Sequence, residues 1–195
     1  MEFDKSTALI VVDVQNDFAD PSGSLYVSGG EEVIDFINDQ IEAAIDAGTT
    51  VVYTQDWHPE STPHFEKDGG IWPVHCVGGT TGADFHPTLK IVDDAIFIKK
   101  GTGGEDGYSA FNVRDPETGE QASTGLADRL RHRDIRRVVV CGLALDYCVK
   151  ETALDAVAAG FETVLLADGT RPVNLATGDG ARAVAALVAA GVEVE

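Results

Sequence analysis

Short apolar runs rich in β-branched residues recur along this chain, most of them leading into a segment of helical periodicity or a Gly- and Pro-rich connection. Residues 7–12 (TALIVV) are the first such run, with no polar alternation, as in a strand buried on both faces; it ends at Asp13. Over residues 31–48, Val33, Ile34, Ile37, Ile41, Ala44 and Ile45 share one stripe that closes on a Gly, which predicts an amphipathic helix. A second buried strand is expected at 49–54, with Asp56 at its end, and a third at 95–98, closing on Lys99 and Lys100. Residues 136–141 and 161–167 read as strands four and five, and 192–194 as a short sixth. Helices are expected near 125–132 and over 177–190.

The stretch 138–160, VVVCGLALDYCVKETALDAVAAG, runs from strand through a Gly-containing turn into a helix. Val149, Ala153, Ala156 and Val157 form its inner stripe, Lys150, Glu151 and Asp155 face outward, and Gly160 stops it. Asp146 is the expected N-cap, which puts Cys148 in the first turn. Two segments lack periodicity: an irregular insertion over 57–94 and a Gly- and Asp-rich loop over 101–125. Loops of such length in a compact domain tend to be functional or mobile. Strands alternating with helices predict an α/β fold, three-layer α/β/α around a doubly wound, mainly parallel six-stranded sheet, in one domain spanning residues 1–195.

Composition narrows the function. No apolar run reaches the length of a membrane span, and the acidic flanks of MEFDKSTALIVVDV do not suit a signal peptide, so a soluble, cytoplasmic protein is expected. The formal net charge of −19 is spread along the chain, which argues against nucleic acid and anionic membrane as partners. So acidic a chain, with six lysines, is expected either of a protein adapted to high salt or of an ordinary acidic cytosolic one. Three widely spaced cysteines, Cys76, Cys141 and Cys148, argue against a disulfide framework.

In doubly wound sheets, sites form at the carboxyl ends of the strands near the point where strand order reverses. Here Asp13, Asp56, the Lys99–Lys100 pair and Cys148 all follow strands and can converge on one rim. A thiol at a helix N-terminus is expected to have a lowered pKa. With a carboxylate to move its proton and an ammonium to balance charge, it forms a nucleophilic set. A second constellation, Asp56, His58, His64 and His75, offers ligands suited to Zn²⁺, Fe²⁺ or Mn²⁺. Backbone N–H groups of residues 142–144 can hold an oxyanion near Cys148, and Phe18, Trp72 and Tyr108, expected on loops, can wall a flat pocket.

With these residues placed, the chain resembles the nicotinamidases of the isochorismatase-like cysteine hydrolases. The matching stretches are VVDVQNDF (11–18), the D-x-H at Asp56 and His58, WPVHCV (72–77), GADFHP (82–87), the lysine before Gly101, YSAF (108–111) and CGLALDYCV (141–149), in family order. The resemblance implies hydrolysis of nicotinamide to nicotinate and ammonia through a thioester. It implies a catalytic Asp13, Lys100 and Cys148, with Lys100 chosen over Lys99 because the family lysine directly precedes the Gly. Asp56, His58 and His75 match the ligands of one divalent transition metal, zinc favoured over iron or manganese, with His64 at a ligand position that varies among members. Phe18, Trp72, Tyr108 and Ala144 match the substrate-binding positions. The bond between Leu143 and Ala144 falls at a site that is cis in the family, which directs the Ala144 and Cys148 N–H groups to one oxyanion. Related amide hydrolases share the Asp, Lys and Cys set but generally lack the D-x-H and WPxHC elements. A zinc hydrolase using a metal-bound water, with Cys148 structural, uses the same residues in other roles. The expected partner is the small-molecule substrate; a homo-oligomer is compatible with the sequence, which sets no assembly state.

Overall fold

In a computed structural model that describes residues 2–195, six strands form one parallel sheet: β1 (Thr7–Val12), β2 (Thr50–Asp56), β3 (Ile96–Lys100), β6 (Arg137–Leu143), β7 (Glu162–Arg171) and β8 (Glu193–Val194). A separate antiparallel hairpin pairs β4 (Asn112–Arg114) with β5 (Gln121–Ser123). The sheet order is β3-β2-β1-β6-β7-β8, so the chain winds one way from β1 through β3 and the other way from β6 through β8. The reversal falls between β1 and β6, which opens a crevice where Asp13 and the turn bearing Cys148 emerge.

All six residues of β1 are buried, and the pleat divides them between two cores. Ala8, Ile10 and Val12 pack toward Leu126 and Leu130 of α3 (Leu126–Arg131), Ala153 and Ala156 of α4 (Lys150–Ala158), and Leu187 of α5 (Asp179–Ala189). Leu9 and Val11 pack on the opposite face against Ile34, Ile37, Ile41 and Ala44 of α2 (Ile34–Asp46). Each fully buried isoleucine of α2 contributes about 1.5–3 kcal/mol, more than helix propensity supplies, so packing holds this helix in place.

The elements expected from periodicity are present, with informative departures. Phe18 lies on a four-residue helix, α1 (Asn16–Ala19), rather than on a loop. The loop expected over 101–125 contains the β4–β5 hairpin, whose three-residue strands, exposed or half-buried, are too short for a readable hydrophobic alternation. Strand β7 extends to Arg171, well past the apolar run. Asp146 is not an N-cap. The chain leaves β6 extended at Ala144 and enters a π-helical turn over Leu145–Val149 before α4 begins, so Asp146 is already inside the turn. Its carboxylate crosses instead to the backbone N–H groups of Val173 and Asn174, each at 2.8 Å.

Candidate active site

The carboxyl ends of β1, β2 and β3 deliver three charged side chains to one buried point. Asp13 has φ 47°, a left-handed conformation that Asp tolerates better than most residues, and its N–H donates to the Thr54 hydroxyl at 3.2 Å. One carboxylate oxygen of Asp13 accepts from that same hydroxyl at 2.6 Å, and the other accepts from Lys100 Nζ at 2.6 Å. Lys100 also lies 3.0 Å from Asp56 Oδ1 and donates to the Gly107 carbonyl. Gln15, fully buried, ties the strand ends together: its amide donates to the Asp56 and Ala83 carbonyls and its oxygen accepts from the Asp56 N–H.

Strand pleat separates the two lysines. β3 alternates buried and exposed positions, so Lys100 shares the inward face of Ile96 and Ile98, whereas Lys99 lies outside with its ammonium 3.2 Å from the centre of the Trp57 ring. Burial works against the Lys100 charge, but the Asp13 and Asp56 carboxylates outweigh it and hold the ammonium pKa well above its usual value. Burial raises Asp13, assisted by the Asp56 charge and opposed by Lys100. At Asp56 burial is outweighed by Lys100 and by contacts from His58 and His75, so its carboxyl stays well below the usual carboxylate range.

Cys148 approaches this cluster from the π turn. Its sulfur and carboxylate oxygens of Asp13 and Asp56 all lie within 4.8 Å of one another. The Val149 N–H donates to the Ala144 carbonyl at 3.1 Å, the i to i+5 closure of a π turn, and the Leu143–Ala144 peptide is cis, as the family pattern implies. The thiol corrects a sequence expectation: burial pushes its pKa well above the ordinary value, Lys100 opposes, and the two carboxylates add to the rise. A helix start does not by itself make a thiolate when the sulfur is buried beside carboxylates.

Beside Lys100, ring nitrogens of His58, His64 and His75 lie within 4.8 Å of one another, all three residues buried. The chain brings them together through the His58 N–H, which donates to the Cys76 carbonyl at 2.9 Å, and the Gly78 N–H, which returns to the His58 carbonyl. His75 Nδ1 is bonded to the Pro73 carbonyl at 2.8 Å and His64 Nδ1 to Asp106 Oδ1 at 2.7 Å, which frees Nε2 on both. Neither ring nitrogen of His58 has a hydrogen-bond partner, a cost of about 1–3 kcal/mol for a buried polar atom. Asp56 Oδ2 lies 3.6 Å from His58 Nε2 and 3.8 Å from His75 Nε2. Three imidazoles and a carboxylate, with buried nitrogens unpartnered, fit a divalent transition metal. Asp56 joins the two clusters, with one oxygen toward the histidines and the other toward the ammonium. Two glycines of the loop over 101–107 are required by close approach: a Cβ on Gly101 would lie 2.6 Å from His58 Cε1, and one on Gly107 2.9 Å from the Lys100 Cβ.

Phe18, Trp72, Tyr108, Ala144 and Cys148 line one cavity with Asp56, His64 and His75. His58 and Lys100 lie behind that wall, fully buried or nearly so. Trp72 Nε1 donates to the Tyr108 hydroxyl at 2.8 Å, fixing two aromatic walls against each other. Sequence reasoning missed Leu25, Val27, Tyr147 and Val173, which complete the lining. Tyr147 adjoins the nucleophile candidate in the CGLALDYCV stretch and packs edge-on against Trp72, a neighbour relation that its motif position could have signalled. The other three come from connections whose approach depends on the fold.

Fold and cluster together define a class: a doubly wound α/β protein with a thiol, a carboxylate and an ammonium gathered at the switch point of its sheet. Residues 7–194 match the family model of the isochorismatase domain, and the chain belongs to that family. It is 37% identical to a nicotinamidase of Escherichia coli strain K12, over 94% of this chain and 92% of that one. Among solved structures, the pyrazinamidase of Pyrococcus horikoshii in complex with zinc superposes with a TM-score of 0.86 at 38% identity, covering 97% of this chain and 98% of the other. PnC1 from L. infantum in complex with nicotinate gives a TM-score of 0.89 at 40% identity, covering 100% and 95%.

Proposed function

We propose that this protein is a nicotinamidase, a metal-assisted cysteine amidohydrolase that converts nicotinamide to nicotinate and ammonia, a step in reuse of the nicotinamide ring for NAD. The observation that carries this reading is the adjacency of two clusters: the Asp13, Lys100 and Cys148 set and the histidines joined to it through Asp56. Relatives and structural neighbours with nicotinamidase or pyrazinamidase names, one of them holding zinc and another nicotinate, support it. A divalent metal held by Asp56, His58, His64 and His75, zinc favoured, would supply a Lewis-acidic anchor for the ring nitrogen and so orient the substrate.

The protein's own groups then account for the chemistry. Phe18, Trp72 and Tyr108 clasp the ring and hold its carboxamide against Cys148. Because the resting thiol is protonated, Asp13 takes its proton as sulfur attacks the carboxamide carbon; the raised Asp13 pKa suits a base that must later act as an acid. The Ala144 and Cys148 N–H groups receive the developing oxyanion. As the C–N bond breaks, Asp13 gives the proton to the departing ammonia and leaves a thioester on Cys148. Water attacks that thioester, Asp13 accepts its proton, and the C–S bond cleaves to give nicotinate and regenerate the thiol. Lys100 keeps the Asp13 carboxylate oriented and balances its charge throughout.

Ammonia release from nicotinamide by the wild type, Cys148→Ala and a chelator-stripped sample tests the proposal. The expected result is turnover in the wild type alone, restored to the stripped sample by zinc. Full turnover by Cys148→Ala would overturn the thiol mechanism in favour of metal-bound water, and turnover of another amide but not nicotinamide would assign a different substrate.

A further inference from the structure

The loop after β3 carries a carboxylate that the chemistry above does not use. Asp106 is part-buried, its side chain 21% exposed, and bonds His64 Nδ1 at 2.7 Å. We infer that Asp106 is a positioning residue for the metal centre: it holds His64 in the tautomer and orientation that present Nε2 to the ion, and so makes His64 a working fourth ligand. The inference rests on the metal reading proposed above.

Two independent features of the structure support it. First, both partners of the contact are anchored by hydrogen bonds that do not involve the Asp106 side chain. The Asp106 N–H donates to the Arg114 carbonyl at 2.7 Å and the Arg114 N–H returns to the Asp106 carbonyl at 3.1 Å, which fastens Asp106 to the hairpin. On the other side, the His64 N–H donates to the Thr62 hydroxyl, which itself donates to the Gly104 carbonyl at 2.8 Å. The carboxylate therefore acts between fixed points rather than fastening the loop. Second, a neutral imidazole has one N–H, and a carboxylate can only accept; placing Asp106 at Nδ1 puts the proton there and leaves the Nε2 lone pair free. That ring lies nearly parallel to His58, with centroids 4.7 Å apart and planes 21° apart, and a ring turned over would lose the shared focus with His58 and His75. A carboxylate partner also makes the ligand nitrogen a stronger donor.

The same short run reaches all three parts of the site. Asp106 orients His64, the Gly107 carbonyl accepts from Lys100, and the Tyr108 hydroxyl accepts from Trp72. The hairpin missed in the sequence is thus the mount of this run.

The test is zinc affinity, measured by competition between added zinc chloride and a chromophoric chelator on metal-stripped protein. Wild type, Asp106→Ala, Asp106→Asn, His64→Ala and the Asp106→Ala/His64→Ala double variant are compared, with circular dichroism confirming the fold of each. Asp106→Ala and His64→Ala are each expected to weaken zinc binding about 10–100-fold. The double variant should bind no more weakly than His64→Ala alone, and Asp106→Asn, whose amide oxygen still accepts from Nδ1–H, should recover most of the loss. Zinc bound by Asp106→Ala as tightly as by wild type, or additive losses in the double variant, would overturn the inference while leaving the metal reading intact. A wild type that binds no zinc would overturn both. Nitrogen-resolved NMR of the metal-free wild type gives a readout independent of any variant: His64 should carry its proton on Nδ1, and an Nε2–H tautomer would refute the inference.

Discussion

Replacing Lys100 by Met removes the one ammonium from a point where two carboxylates remain. Its Nζ lies 2.6 Å from Asp13 Oδ2 and 3.0 Å from Asp56 Oδ1, with no side-chain exposure at Lys100 or Asp13. At an effective dielectric of about 20 those contacts amount to about 6 kcal/mol each of gross attraction, most of it offset by the cost of desolvating the ammonium. Breaking such a pair from one side leaves the other charge buried and alone, which costs about 3–5 kcal/mol. Lys100→Met is therefore expected to lose about 3–5 kcal/mol at pH 7, in urea denaturation of metal-stripped protein. The pH dependence has a definite sign. In the wild type Lys100 helps hold Asp56 depressed, a contribution present above the unfolded carboxyl pKa and lost as pH falls through the folded one. Without the ammonium, both carboxyls move up, and their penalty is relieved as acid protonates them. The gap between variant and wild type should thus narrow from pH 7 to pH 5. Ammonia release should fall at least about 100-fold, because Asp13 no longer holds a proton at the right place and strength. A variant within 1 kcal/mol of wild type at pH 7, or a gap that widens on acidification, would refute this account.

Two other substitutions probe the end of β6 and the turn after it that carries Cys148. Gly142 has φ 109° and a Cβ there would lie 2.1 Å from the Val12 carbonyl oxygen, so Gly142→Ala should lose about 3 kcal/mol or more and show it as a lowered Tm or as insoluble expression. Asp146→Asn sets an NH₂ group against one of two backbone N–H donors, so thermal unfolding should show about 1–3 kcal/mol of lost stability, and the nicotinamide KM should rise because Val173 of the tethered loop lines the cavity.

Much of the fold was legible because its strands are buried on both faces and its helices on one, and these conditions write themselves into near-neighbour periodicity. β1, β2 and α2 illustrate this, each lying within a residue or a few of the expected span. The hairpin β4–β5 was not legible, since its strands are exposed or half-buried and, at three residues each, too short for a period to stand out. The site was legible as a set of residue types at strand ends. Asp106 was not: an acidic residue in a Gly- and Asp-rich loop looks like any solvated charge until the loop is folded against His64.

By itself, the sequence determined the order of elements, the rim on which chemistry gathers and the two constellations of side chains. Tertiary structure decided which of two adjacent lysines enters the site, because pleat orientation depends on how the edge strand meets its neighbour. It decided that Asp146 clamps a distant loop instead of capping a helix, because the π turn already begins at Leu145. It also reversed the expected direction of the Cys148 pKa: a helix start is visible in local sequence, whereas burial and two nearby carboxylates come from strands more than ninety residues away and exist only once the sheet has formed.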